Sequence, residues 1–268
     1  MPAPAGIPTA LPWVCVSRDY DATMTTGFPG FSPKAITFLR QLEKNNSRDW
    51  FQPRKDQFEE LLRQPMLELA GLVGEQLRTF AVDHVIPANK AVHRIYRDVR
   101  FSKDKSPYKT NISAMFPRRG LSKLAGGAYY FSLSADEFGI FGGIYMPEPT
   151  DLKVIREEID KNPAGFRKIV ENPKMIKITG PLRGDKLARL PKGFDEDHPA
   201  IDLLRNKQFY YYTSLPAKAA TEVGLDKVLI KQFKVMAPAV DYLNGLLLRA
   251  AKGDEEEEQL PKRPKPMF

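Results

Sequence analysis

Cysteine is almost missing from this chain: Cys15 is the only one in 268 residues. A lone thiol excludes intrachain disulfides and thiolate metal clusters, and a cytoplasmic protein is the default that follows. Histidine is nearly as scarce. His84, His93 and His198 are scattered along the sequence, so no structural zinc is expected from them, and nothing in the chain calls for a cofactor. No apolar run approaches the roughly eighteen residues of a membrane span. The N-terminal residues show no basic segment followed by an apolar one, so no secretory signal is read there and no membrane association is expected. Also absent are G-x-x-x-x-G-K-[ST], G-x-G-x-x-G after a strand, H-E-x-x-H and G-x-S-x-G. The chemistries those motifs carry have no support in the sequence.

What is present begins with bulk and charge. Hydrophobic residues make up 42% of the chain, enough for a substantial core in one large domain or two small ones. Residues 1–23 and 252–268 each carry a net charge of −1, so the stretch between them carries +10 against +8 for the whole chain. That balance favours acidic partners, either a phosphorylated or carboxylated small molecule or nucleic acid.

Polar chemistry concentrates in residues 94–110, which hold six Lys/Arg and two Asp. Arg94, Arg97 and Arg100 are three apart, but Ile95, Val99 and Phe101 alternate with Tyr96, Asp98 and Arg100, which suits a strand. Arg97 would then share the apolar face and need a partner, since an unpaired buried charge is costly; Asp98 and Asp104 are the nearest acids. Three readings follow. Arg94, Arg97, Arg100, Lys105 and Lys109 form an anion pocket, in which Asp98 orients an arginine and Tyr96, Tyr108 or His198 handles a proton, as an enzyme would require. In the second, the stretch contacts nucleic acid together with the basic group Arg183, Lys186, Arg189 and Lys192. In the third, it is a structural ion-pair clip within an interaction scaffold. His198, between Asp197 and Pro199, has its own two readings, a helix cap or an acid-base group.

Along the chain, residues 1–23 are rich in Pro and Ala without a period and read as a disordered leader, with Met24 as an alternative start. Ser32-Pro33 opens a helix with Ile36, Leu39 and Leu42 buried, ending at Asn45-Asn46. Ser47 to Phe51 reads as a connector, with Trp50 and Phe51 as core or, in the alternative, as a stacking surface for a base or substrate. Pro53 opens a helix that Pro65 is expected to interrupt. Strands are expected at 111–116, 129–134 and 138–145 as an antiparallel meander, with Gly142-Gly143 marking a bulge or a close approach, the bulge being preferred. Thr150 and Asn162-Pro163 cap helices, Met175 to Thr179 reads as a short strand, and 180–193 as a loop with room for one helical turn. Residues 208–214 form a strand with Tyr210 and Tyr212 on one face and Tyr211 on the other. A long helix from about Leu225 to Ala251 buries Val228, Leu229, Phe233, Met236, Val240, Leu243 and Leu247, with a kink expected at Pro238; 252–268 reads as a disordered charged tail. The fold class expected is α+β: a mainly antiparallel twisted sheet covered by helices in one domain, 24–251.

Arg97-Asp98-Val99-Arg100-Phe101-Ser102, followed by Asp104-Lys105-Ser106-Pro107-Tyr108-Lys109-Thr110, closely resembles the hallmark of a domain-of-unknown-function family found in bacteria and fungi. Asn45 to Phe51, Gly126-Gly127-Ala128-Tyr129-Tyr130, Pro191-Lys192-Gly193-Phe194 and Asp197-His198-Pro199 extend the likeness, which runs from about Phe28 to about Leu248. The resemblance implies a cytosolic α+β domain and supplies no reaction.

Overall fold

The structure is a computed structural model that describes residues 27–100, 103–123 and 125–259, with side chains described through residue 251. The expected leader, residues 1–23, lies outside the described residues. Helix α1 (Pro33–Lys44) starts where the sequence predicts: the Ser32 hydroxyl accepts the Lys34 N–H at 3.3 Å, Pro33 occupies the first turn, and Asn45 closes the other end on the Gln41 and Leu42 carbonyls. Phe38, Leu39 and Leu42 form its buried stripe. Replacing Ser32 with Ala should cost about 1 kcal/mol through loss of this cap, read from urea unfolding.

The connector predicted at Ser47 is a helical turn, α2 (Arg48–Phe51), because the Ser47 hydroxyl caps it by accepting the Trp50 N–H. A 3₁₀ turn (Gln52–Arg54) leads into α3 (Lys55–Phe58) and then α4 (Gln64–Leu77). Pro65 does not interrupt this ribbon. A π turn (Glu59–Arg63) just before it widens the backbone, and Gln64 N–H closes on the Glu59 carbonyl. The wider turn absorbs the clash that a proline ring makes with the carbonyl four residues back. A further turn, α5 (Ala88–Ala91), precedes the basic stretch.

Strands β1 (Ile112–Pro117), β2 (Ala128–Leu133), β3 (Glu137–Ile144) and β4 (Phe209–Pro216) form one antiparallel sheet in the order β1-β2-β3-β4. The register is unbroken through Gly142 and Gly143, so the preferred bulge is not there. Close approach explains both glycines. A Cβ on Gly142 would lie 2.6 Å from Met236 Sδ, and Gly143, at φ +134°, would bring one within 2.4 Å of the Phe209 carbonyl oxygen.

Between β3 and β4 run α6 (Pro149–Lys161), α7 (Pro163–Val170), α8 (Pro173–Thr179) and α9 (Ile201–Leu204). Glu148, not Thr150, stands at the N-cap of α6, with its N–H donating to the Asp151 carboxylate at 2.8 Å. The strand predicted at Met175 to Thr179 is helix α8: Asn172 caps it at the Lys174 N–H and Pro173 sits in its first turn, a local start signal stronger than the β-branched residues that follow. The 180–193 loop holds no helical turn. Helix α10 (Leu225–Gln259) continues past Pro238 and past Ala251 into the predicted tail, and Val228 on it is exposed rather than buried.

The sheet's inner face, including Phe116, Tyr129, Phe131, Phe138, Ile140 and Tyr211, packs with α1, α4 and the first half of α10 into the main core. A second core joins α6, α7 and α9 to Leu243, Leu246 and Leu247 of α10. Asn244, fully buried between them, ties α10 to the sheet by accepting the Gly127 N–H at 2.7 Å and donating to the Gly127 carbonyl at 3.2 Å. No helix among the described residues is long and apolar enough to cross a membrane. The α+β class, with one antiparallel sheet, is as the sequence predicts.

Candidate functional site

The opposite face of the sheet floors a cleft of about 730 Å³. An antiparallel sheet with one solvated face normally alternates apolar-in with polar-out. Here the outward positions include Met115, Tyr130, Phe141, Tyr210 and Tyr212. An open apolar patch of this kind marks a surface meant to be covered.

Loops set charge around this floor. Tyr96 and Tyr108 pair across the base of the 94–110 excursion, with Arg97 N–H donating to the Pro107 carbonyl at 3.0 Å and Lys109 N–H to the Ile95 carbonyl at 2.8 Å. Among the described residues the stretch is therefore a bridged loop rather than the predicted strand, with Tyr96 and Tyr108 as an isolated ladder pair. Asn46 anchors it through both backbone groups of Tyr108, accepting its N–H at 3.1 Å and donating to its carbonyl at 3.0 Å. Tyr108 thus points into the core, stacked on Phe51 at 4.1 Å between centroids, while Lys109 and Arg97 reach the cleft. Tyr96 packs beside Tyr108, half exposed, and does not line the cleft.

The acids of the stretch are each taken. Arg97 pairs with Asp104, whereas Asp98 holds Arg100 through Nε at 3.0 Å and Nη2 at 2.7 Å. That fork keeps the Asp98 carboxyl down at about 2. Lys105 donates to the Val99 carbonyl at 2.9 Å, and Arg94 is exposed. His198 lies elsewhere: its Nδ1 accepts the Ala200 N–H at 3.0 Å ahead of α9, and its Nε2 is 3.5 Å from Asp160 on α6. Of the nine candidate residues, the cleft gathers Arg97 and Lys109; Arg94, Tyr96, Asp98, Arg100, Lys105, Tyr108 and His198 do not line it.

Side chains outside those nine complete the site, Arg183 among them from the second basic group. His93 reaches the cleft beside β1, with its N–H on the Ser113 carbonyl at 2.8 Å and its Nδ1 3.1 Å from the Ser113 hydroxyl. Burial, then the charges of Lys109 and Lys123, hold its imidazole down at about 4. Lys109 is itself pushed down by burial and by Arg94, Arg97 and Lys123. Across the sheet, Arg183 pairs through its backbone with Tyr210 and sets its guanidinium 5.4 Å from the centre of the Tyr212 ring. Gly139 leaves room for that ring, since a Cβ there would lie 2.6 Å from the Tyr212 hydroxyl, which donates to Glu137. Among the described residues that line the cleft, Glu137 is the one acid. Among the described residues, Lys109, Lys123 and Arg183 have no carboxylate within ion-pair distance. The outward aromatics were visible as period-2 positions of the strands; His93 and Lys123 carry no local signal and arrive only by tertiary folding.

A family model described as a conserved hypothetical protein, DUF2461, matches residues 34–242. No curated protein matches the chain.

Proposed function

Since the chain belongs to the DUF2461 family, whose description names no activity, we propose from the geometry that it is a cytosolic protein whose sheet-face cleft binds a phosphorylated or carboxylated small molecule. Arg97, Lys109, Lys123 and Arg183 hold the anion. The observation that carries this is the gathering of Arg97, Lys109, Lys123 and Arg183 around one cleft: burial first, and then neighbouring Lys and Arg charges, disfavour Lys109 and His93 as cations, and an anion placed among them offsets the like-charge part. The clip reading accounts for Arg97 with Asp104 and Arg100 with Asp98. It leaves Lys109, Lys123 and Arg183 unexplained.

Isothermal titration of the full chain with inorganic phosphate tests the reading. Lys109→Ala should fold normally and bind phosphate about tenfold more weakly, the size of one charge-assisted hydrogen bond. Added salt should weaken binding. His93 serves as an internal reporter: by NMR its titration should move upward from about 4 when phosphate is bound. Unchanged affinity in both Lys109→Ala and Arg183→Ala would remove the cleft as the anion site.

A further inference from the structure

We infer that the anion in this cleft is the phosphate of a nucleotide, whose base lies on the aromatic floor; this rests on the anion reading above. The strand register sorts the floor into rows that cross the sheet. Met115, Tyr130, Phe141 and Tyr212 stand side by side as one row. Beside it runs a low row, Ala128 and Gly143, ending at Tyr210. On the other side lies a polar row, Ser113, Ser132, Gly139 and Ser214.

An aromatic cluster stands at the Gly143 end of the low row. Phe141 and Tyr210 are stacked at 4.9 Å, and Tyr145 stands edge-on to both, at 81° to Phe141 and 70° to Tyr210. Tyr145 is 53% exposed and the adjacent Met146 56% exposed, so the cluster keeps an open apolar side. A flat ring laid on that open side would meet aromatic faces and edges, the arrangements that aromatic pairs favour. The cations sit at the ends rather than the middle: Arg183 beside β4, and Lys109 with His93 beside β1. Neighbouring strands are about 4.8 Å apart, so a ring over β3 lies roughly 10 Å from a phosphate over β1, a distance one nucleotide can bridge.

The site favours a small nucleotide over a nucleic-acid strand. The cleft's volume of about 730 Å³ is that of a small-molecule pocket. Of the second basic group, Arg183 lines it, while Lys186, Arg189 and Lys192 do not.

Titrations of the full chain with AMP, GMP, CMP and UMP, against ribose 5-phosphate, inorganic phosphate and an eight-residue oligothymidylate, test the inference. The tightest nucleoside monophosphate should bind about fivefold or more better than ribose 5-phosphate, the least that stacking one base contributes. Tyr145→Ala, at an exposed position, should bring it down to the ribose 5-phosphate level and leave inorganic phosphate binding unchanged; Tyr210→Ala should do the same. Equal affinity for all five phosphorylated sugars would overturn the nucleotide inference while the anion site stands. Binding of none of the phosphates would overturn the cleft reading beneath it. An oligonucleotide bound far more tightly than every monophosphate would replace the small ligand with a single strand.

Discussion

Asn244→Ala should destabilise the protein by about 3 kcal/mol, because it strips two buried backbone groups of their partners at once. Asn244 is fully buried on α10 and satisfies both the N–H and the carbonyl of Gly127, at the entry to β2. An unsatisfied buried polar group costs roughly 1–3 kcal/mol, and the vacated side-chain volume adds to this. The two segments are in close contact, since a Cβ on Gly127 would lie 3.0 Å from Asn244 Oδ1. Asn244→Asp is the instructive companion. It keeps the acceptor for the Gly127 N–H but aims a second oxygen at the Gly127 carbonyl, so it should also destabilise. Urea unfolding gives both values, and a loss below about 1 kcal/mol in Asn244→Ala would show that the clamp is not needed.

Acidification should produce the second large loss. His84 is buried against Tyr129, its Nδ1 2.9 Å from the Phe116 carbonyl oxygen. Burial is the main cause that holds it at about 4, below the 6.5 of a free histidine, and the bond to Phe116 opposes it. The sign follows from proton counting. Between these two values the unfolded chain binds a proton that the folded one refuses, so stability is full above pH 6.5 and falls as the pH drops towards 4. At pH 5 the loss from His84 is about 2 kcal/mol. His93, depressed for the same leading reason, adds in the same direction, by an amount that its partial exposure reduces. Asp241 works oppositely, because burial pushes its carboxyl up. Comparing the pH slope with that of His84→Gln between pH 7 and 5 isolates the histidine; identical slopes would show that His84 is not the group responsible.

Much of the scaffold was readable because it is written locally. Ser32-Pro33 fixes the start of α1, Asn162-Pro163 that of α7, and the alternation of Tyr210, Tyr211 and Tyr212 assigns their faces. The misreadings have local causes too. Asn172-Pro173 outvoted a β-like composition in α8, and the π turn before Pro65 kept a helix whole. The cleft was harder to read. Residues 94–110 look like a site because charge is dense there, yet density is a property of neighbours in sequence. The fold spends Asp98 and Asp104 on Arg100 and Arg97, turns Tyr108 inward, and sends two of the cations, Arg97 and Lys109, to the cleft. The partners that give those two a purpose, His93, Lys123, Arg183 and the outward aromatics, come from separate segments brought together by strand register.

The two outer strands also bear on how the protein behaves among its own copies. An uncovered strand edge invites another chain to add to the sheet. At β1 the Ser113 carbonyl is occupied by the His93 N–H, and at β4 both backbone groups of Tyr210 are occupied by Arg183. Each strand then ends in proline, Pro117 and Pro216, which has no N–H to offer an incoming strand. The segments that bring His93 and Arg183 to the cleft therefore also act as guards against edge-to-edge aggregation. Remodelling either loop to alter binding would open a route to fibrous assembly at the edge it covers.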